Sequence, residues 1–484
     1  MVVREGMTYT QAILVATMLL GCSVASAQLN VHGIDWFPKP EYIVASFDEW
    51  QTVPGDAGTL RVDYPTNADA EPLLARKSLV ELTLFQREFD ANNPLELVGK
   101  LSALPKLRFL GIWGFTGNIA LMKALAKLPH IEVLVFFHLN PVVPTGLAEL
   151  KNCQSLRALY VNAYAGDTVS ALDLPHLESL SQLAELEHLA LHCNWFSQPT
   201  ILRDERGVPL RKRRSEAFLP LARLKKLKGL TLEGVEVSDE LLAKLAGLPE
   251  LALLSLFRCD GLDAKSLAKL ATCKKLEVLD IGDPFRPDLA AVAFDELSNL
   301  TSLRVLWLQG RRQITAEQLS QLITASPALA ELRLHGSVLS GEVVGMLGIS
   351  PRFERLTLDL SSLGDPPALE RLHKIQSLRE LTIIGTDNRV GQSAICWEQM
   401  VALHTLRLLP LRGKREILES LVNAPKLTTL ELRIGALNAI STHDLIATIK
   451  NSAITSLVLH KEDWSEDVQT ELAKNVKPQL HFVD

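Results

Sequence analysis

Apolar residues recur along this chain in one phrase, Leu-x-x-Leu-x-Leu. It starts at residues 79, 107, 131, 156, 186, 227, 251, 276, 303, 329, 353, 378, 403, 427 and 454, fifteen times in all. The middle slot is leucine in every copy, from Leu82 and Leu110 through to Leu457. The first slot departs from leucine only at Ile131, Phe353 and Ile454, and the third is always apolar, as at Leu84, Ile112, Val161 and Leu459. Successive starts lie 24 to 30 residues apart, except for 41 between Leu186 and Leu227. Residues one, four and six of the phrase fall on one side of a strand, and residues three, five and seven on the other. A truncated sixteenth copy is expected to start at Leu480.

The second half of each copy reads as a helix. In the stretch 238–250, Leu241, Leu242, Leu245 and Leu248 fall at helical spacing behind Ser238, a residue suited to cap the first turn. Thr315 and Gln318 have the spacing of a capping box. Proline at 105, 129, 249, 327, 351 and 425, two residues before a phrase begins, stops the helix. Strand, turn, helix and stop make one unit, and a fixed period means such units stack. The pattern predicts an α/β solenoid of about 15 repeats, with a parallel sheet on the concave face and helices on the convex face. Exposed core at either end needs caps. Residues 28–76, with Trp36, Phe37 and Trp50, are expected to cap the first end and 461–484 the other, around a solenoid spanning 77–460.

In this phrase and period the chain resembles the leucine-rich-repeat superfamily, particularly bacterial and ribonuclease-inhibitor-like members with a helix in each repeat. The resemblance covers roughly residues 77–483. It departs at the slot where many families keep asparagine, filled here by Phe115, Leu139, Val235, Cys259 and Ser337. No F-box, kinase, ligase or sortase-anchoring segment accompanies the repeats. The resemblance therefore implies recognition of a protein or ligand and no particular chemistry.

Residues three, five and seven of each phrase describe the surface a partner would meet. The early copies place Phe85, Phe109, Trp113, Phe137 and Tyr160 there, followed by His188 and His192. Phe257 and Trp307 come later, and then a charged stretch with Arg333, His335, Arg355, Asp359, Arg407, Glu431 and Arg433. Rings left in water are costly, so either a partner covers them or the cap or long insertion of the same chain does. That insertion, near 194–218, carries Arg203, Arg206, Arg211, Lys212, Arg213 and Arg214, either as a solvated loop or as a contact for an acidic partner, glycan or lipid head group.

Composition narrows the function classes. The net charge of −6, from 50 basic and 56 acidic residues, lacks the basic footprint of nucleic-acid binding. Ile13–Leu20 is an apolar run too short to span a bilayer and reads as the core of an export signal ending within residues 1–27. Two processing sites stand open: a lipobox ending at Cys22, which would be lipidated, or cleavage after Ala27. The expected location is accordingly extracytoplasmic in a bacterium, as a periplasmic, secreted or outer-membrane-anchored protein. No later stretch is long and apolar enough to cross a membrane.

Cys153 and Cys273 occupy a slot that other copies fill with leucine, so they read as small buried hydrophobes. His188 and His192, four residues apart on a strand, lie ~13 Å from each other, too far to share a metal. No nucleotide loop, dinucleotide fingerprint, metalloprotease or nucleophile-elbow motif is present, so no cofactor, metal or catalytic residue is expected. The leading expectation is a non-enzymatic module that binds a protein by its concave face. A scaffold lipoprotein without a discrete ligand is the second, and an enzyme with its site in the insertion or cap is the remote third.

Overall fold

The computed structural model describes residues 40–86, 94–139, 144–163, 174–193, 214–257, 259, 261–262, 264–282, 294–309, 314–335, 340–359, 367–384, 395–411, 420–434, 442–460, 463–476 and 479–483. The export segment with Cys22, and residues 194–213 of the insertion, lie outside the described residues. The chain divides into two compact units, Met1–Gly234 and Val235–Asp484.

The first unit carries a parallel ladder of β1 (Tyr42–Val44), β2 (Thr59–Asp63), β3 (Glu81–Phe85), β4 (Phe109–Trp113), β5 (Val133–Leu139), β6 (Ala158–Ala163), β7 (His188–Cys193) and β8 (Gly229–Glu233). Each strand pairs with the next in chain order. The second unit repeats the plan with β9 (Leu253–Phe257), β10 (Val278–Gly282), β11 (Val305–Gln309), β12 (Glu331–His335) and β13 (Arg355–Asp359). It continues through β14 (Glu380–Ile384), β15 (Thr405–Leu411), β16 (Thr429–Ile434), β17 (Ser456–His460) and β18 (Gln479–Val483). Parallel neighbours need a crossover, and the helical half of each repeat supplies it.

Register follows the phrase. Leu60, Leu82, Leu110, Leu134, Leu159, Leu189 and Leu230 are successive partners across the first ladder. Leu254, Leu279, Leu306, Leu332, Leu356, Leu381, Leu406, Leu430 and Leu457 form the matching line in the second. All of these middle-slot leucines are buried to within 1%. Burying one leucine side chain stabilises by about 1.5–3 kcal/mol, so a slip by one residue, which would turn the whole line outward, is strongly disfavoured.

Two readings change at the ends. Leu480 pairs with Leu457, so it fills the middle slot of the last copy and does not start it. Hydrogen bonding to β17 sets that register, which the leucine alone could not reveal. At the other end Ala57-x-x-Leu60-x-Val62 forms a further copy, with Ala57, Leu60 and Val62 all buried. Alanine in the first slot and valine in the third hid it. The segment read as a cap thus carries β1 and β2, and is tied down by Trp50, whose indole N–H donates to Asp69 Oδ1 at 2.7 Å.

The helical halves form where the caps indicate. Ser238 Oγ accepts from the Leu241 N–H at 3.2 Å, opening the helix Asp239–Ala246 that buries Leu241, Leu242 and Leu245. Thr315 and Gln318 make the reciprocal capping box, at 3.2 and 3.1 Å, ahead of Ala316–Ala325. Asn118 caps Ile119–Leu125 in the same way, accepting from Leu121 at 2.9 Å. The slot without asparagine is filled by apolar side chains instead, with Phe115, Val235 and Cys259 buried.

Candidate recognition surface on the outer sheet face

The face of each ladder opposite the leucine line, built from residues three, five and seven of the phrase, is called the outer face. In the first unit it holds a continuous row of rings. Phe85 and Trp113 approach at 5.1 Å between centroids, Trp113 and Phe137 at 3.9 Å, Phe137 and Tyr160 at 6.2 Å, and Tyr160 and His192 at 4.7 Å. The row starts at Arg61, whose guanidinium lies 4.1 Å from the Phe85 centroid while it chelates Asp63 through bonds of 2.6 and 3.2 Å. It ends where His192 Nδ1 meets the Glu233 carboxylate. Seven adjacent strands, β2 to β8, therefore contribute to one line. The reason is spacing: equivalent residues on neighbouring strands stand ~4.8 Å apart, within ring-stacking distance.

Most of this row is not bare. Phe109, Phe137, Tyr160 and His192 are exposed by 6, 4, 2 and 7%, and Val135, Ala158 and Ala190 are buried with them. Phe109, Val135, Phe137, Ala158, Tyr160 and Ala190 form one apolar cluster on this face, with Trp113 and Val133 packed against it, in keeping with the general burial of both faces of parallel sheets. Phe85 and Trp113 remain half-buried. His188 is also half-buried and lies over Gly229, where a Cβ would come within 2.6 Å of its Nδ1.

The polar end of the row holds a feature that sequence reasoning missed. Asn162 is the register partner of His192 on the neighbouring strand, and it is 6% exposed. Among the described residues neither Asn162 Oδ1 nor His192 Nε2 has a hydrogen-bond partner. A buried polar atom left in this state costs about 1–3 kcal/mol. A carboxylate only accepts, so the ring nitrogen facing Glu233 is the one that carries a proton; in the neutral form of that tautomer Nε2 is an acceptor beside the amide oxygen.

In the second unit the outer face is a chain of charges. Glu331, 6% exposed, accepts from Trp307 Nε1 at 3.1 Å, Arg333 Nε at 2.6 Å and Arg355 Nε at 2.6 Å. Arg333 also lies 4.0 Å from the Trp307 ring centroid. Burial alone would raise the Glu331 pKa, but the charges and hydrogen bonds of Arg333 and Arg355 hold it below the ordinary carboxylate range. Arg407 continues the chain, donating to Glu380 and Glu431 at 3.1 Å each, and His460 Nε2 stands 3.4 Å from Glu431. Trp307 is 2% exposed, whereas the side chains of Arg333, Arg355 and Arg407 are exposed by 34, 42 and 36%. Phe257 is half-buried opposite Gly282, and Ser255 Oγ donates to the buried Asp280 at 2.8 Å.

A third row went unread in the sequence although the signal was there. The second residue of the phrase alternates in sign from Arg108 through Glu132, Arg157 and Glu187 to Lys228, and is charged again at Glu277 and Arg304 and at Glu354 and Arg379; the pairs Arg108–Glu132, Glu277–Arg304 and Glu354–Arg379 close at 3.3 to 3.6 Å. Aligning the copies and reading down that column would have found it.

No family model matches the chain. An internalin from Listeria monocytogenes aligns over 93% of this chain and 95% of its own, with 17% sequence identity and a TM-score of 0.35. A leucine-rich-repeat protein from Leptospira interrogans aligns over 91% of this chain and 100% of its own, with 15% identity and a TM-score of 0.42. The repeated phrase, the in-register lines of middle-slot leucines and the strand–helix alternation define the fold. Each unit is a leucine-rich-repeat array. Among the described residues no three His, Cys, Asp or Glu side chains are grouped to hold a metal, and no helix is long and apolar enough to cross a membrane.

Proposed function

We propose that the chain is a non-enzymatic recognition module of the cell envelope or secreted space, and that it takes a protein partner on the outer faces of its sheets. The observation that carries this reading is the state of Arg333, Arg355 and Arg407. Each is partly exposed yet held by one or two carboxylates of the same face. A guanidinium fixed in this way loses little freedom when a partner carboxylate or backbone carbonyl approaches it. Half-buried Phe85 and Trp113 add aromatic anchors, and Trp, Phe and Arg are the side chains enriched at protein interfaces. The buried rings from Phe109 to Tyr160 serve as packing beneath that surface.

The envelope location rests on residues 1–27. Cleavage after Ala27 would release a soluble protein, and lipid on Cys22 would hold it at a membrane. Neither a cofactor nor nucleic acid enters the reading.

The test is site-specific photocross-linking in the producing cells, with the cross-linker replacing Phe85 or Arg355 on the outer face, or Lys123 on a helix. Adducts at 85 and 355 and none at 123 support recognition by the sheet face. The same adducts at all three sites, or adducts at 123 alone, would overturn it.

A further inference from the structure

We propose that Asn162 and His192 form the recognition site for a primary ammonium group, the end of a lysine side chain on a protein partner. The proposal rests on the recognition reading only for the origin of that group.

The two side chains are register partners on β6 and β7, and each is more than nine-tenths buried. Asn162 Oδ1 and His192 Nε2 are both acceptors without a donor among the described residues. Glu233 orients the second of these: its carboxylate can only accept, so it favours the Nδ1–H tautomer of His192, whose neutral form has its lone pair on Nε2. Two acceptors side by side call for one atom that can donate twice. A hydroxyl has a single proton, so alcohols satisfy one acceptor and strand the other. An ammonium nitrogen has three protons and satisfies both.

The surroundings select the cation. The outward residues of β5 to β8 are Val133, Val135, Phe137, Ala158, Tyr160, Asn162, His188, Ala190, His192, Gly229, Thr231 and Glu233, with no lysine or arginine in the set. The Tyr160 ring stands 4.7 Å from that of His192, and Phe137 follows at 6.2 Å. Aromatic faces attract an ammonium ion and do not repel its alkyl chain. A water molecule could also donate twice, and this is the outcome the test must exclude.

The test is a titration of the full chain, labelled with ¹⁵N at its twelve histidines, with n-butylammonium chloride as a mimic of the lysine tip. His192→Gln identifies the His192 ring signals. The expected result is a His192 Nε2 shift that saturates in the millimolar range, consistent with the efficiency ceiling for so small a ligand. Tetramethylammonium, with no N–H, and n-butanol, with one donor, should produce no comparable shift. Asn162→Leu should weaken the response at least tenfold while leaving the melting temperature unchanged or higher, since it removes a buried acceptor that lacks a donor.

An unmoved ring at 100 mM n-butylammonium would leave a water site only and overturn the proposal. An equal response to n-butanol, or a full response in Asn162→Leu, would overturn it as well. Should Asn162→Leu fail to fold, the comparison of the three probes on the wild-type chain still decides. The titration uses the amine alone, so its failure leaves the cross-linking result standing, and the converse holds too.

Discussion

The residue that closes β4 shows how little freedom the repeat leaves. Gly114 follows Trp113 at φ +76°, and a Cβ there would stand 2.1 Å from the Gln86 carbonyl oxygen. Its N–H donates to Phe137 O at 2.9 Å, so the turn cannot move away without breaking the edge of the ring row. Gly234, in the same slot of its own copy, has φ +70°, and Tyr64 takes that slot at φ +53°. Gly114→Ala should lower the urea-unfolding free energy by about 1–3 kcal/mol, from the left-handed backbone together with the contact. Gly55→Ala, where a Cβ meets nothing within 4 Å, should stay within about 0.5 kcal/mol of wild type. Equal effects would mean that the turn does not bear the strain.

Between strands, the paired charges divide by burial. The second-slot pairs are exposed and individually worth little. Glu331 differs because it is buried and serves three donors on three strands. Its pKa is lowered in the folded chain, so its contribution is complete above the pKa of an unfolded glutamate. It is lost as pH falls through the lowered folded value. Stability of the wild type should therefore drop more steeply between pH 5 and pH 3 than that of Glu331→Gln. At pH 7 the variant should be weaker by about 1–2 kcal/mol, a figure discounted for the partial exposure of both arginines. Urea midpoints measured across this range provide the check, and parallel curves would exclude the charge as the source.

At the scale of the whole molecule, the leucine lines and the cysteines test the packing together. Cys153, Cys259 and Cys273 are buried, and Cys153 Sγ lies 3.4 Å from Leu125 O of the preceding repeat. Burial pushes the Cys153 thiol up to about 11, which leaves about a thousandth of it as reactive thiolate at pH 8. All three thiols should resist iodoacetamide at pH 8 in the native chain and alkylate when urea unfolds it, as followed by peptide mass mapping. Ready labelling of Cys153 or Cys273 without denaturant would contradict a closed core.

The repeat, its period, its inward slots and its helix caps were legible in the sequence. They arise from short-range rules, in which alternation sets the faces of a strand, a hydroxyl or amide caps a helix, and proline ends one. Weak copies such as Ala57-x-x-Leu60-x-Val62 stayed hidden because small apolar residues blur the pattern, and Leu480 was misplaced because register is a property of two strands. The candidate surface was legible as a set of positions but not as an environment. Phe137 and Phe85 occupy the same slot, yet one is buried and the other half-exposed, since cover depends on neighbours from other repeats. In the same way Glu331 gathers Trp307, Arg333 and Arg355, and Asn162 comes to stand beside His192. Trp307 and Arg355 are each 24 positions from Glu331 and Asn162 is 30 from His192, and only lateral stacking of repeats brings the first two to the Glu331 carboxylate and sets the last two opposite each other on neighbouring strands.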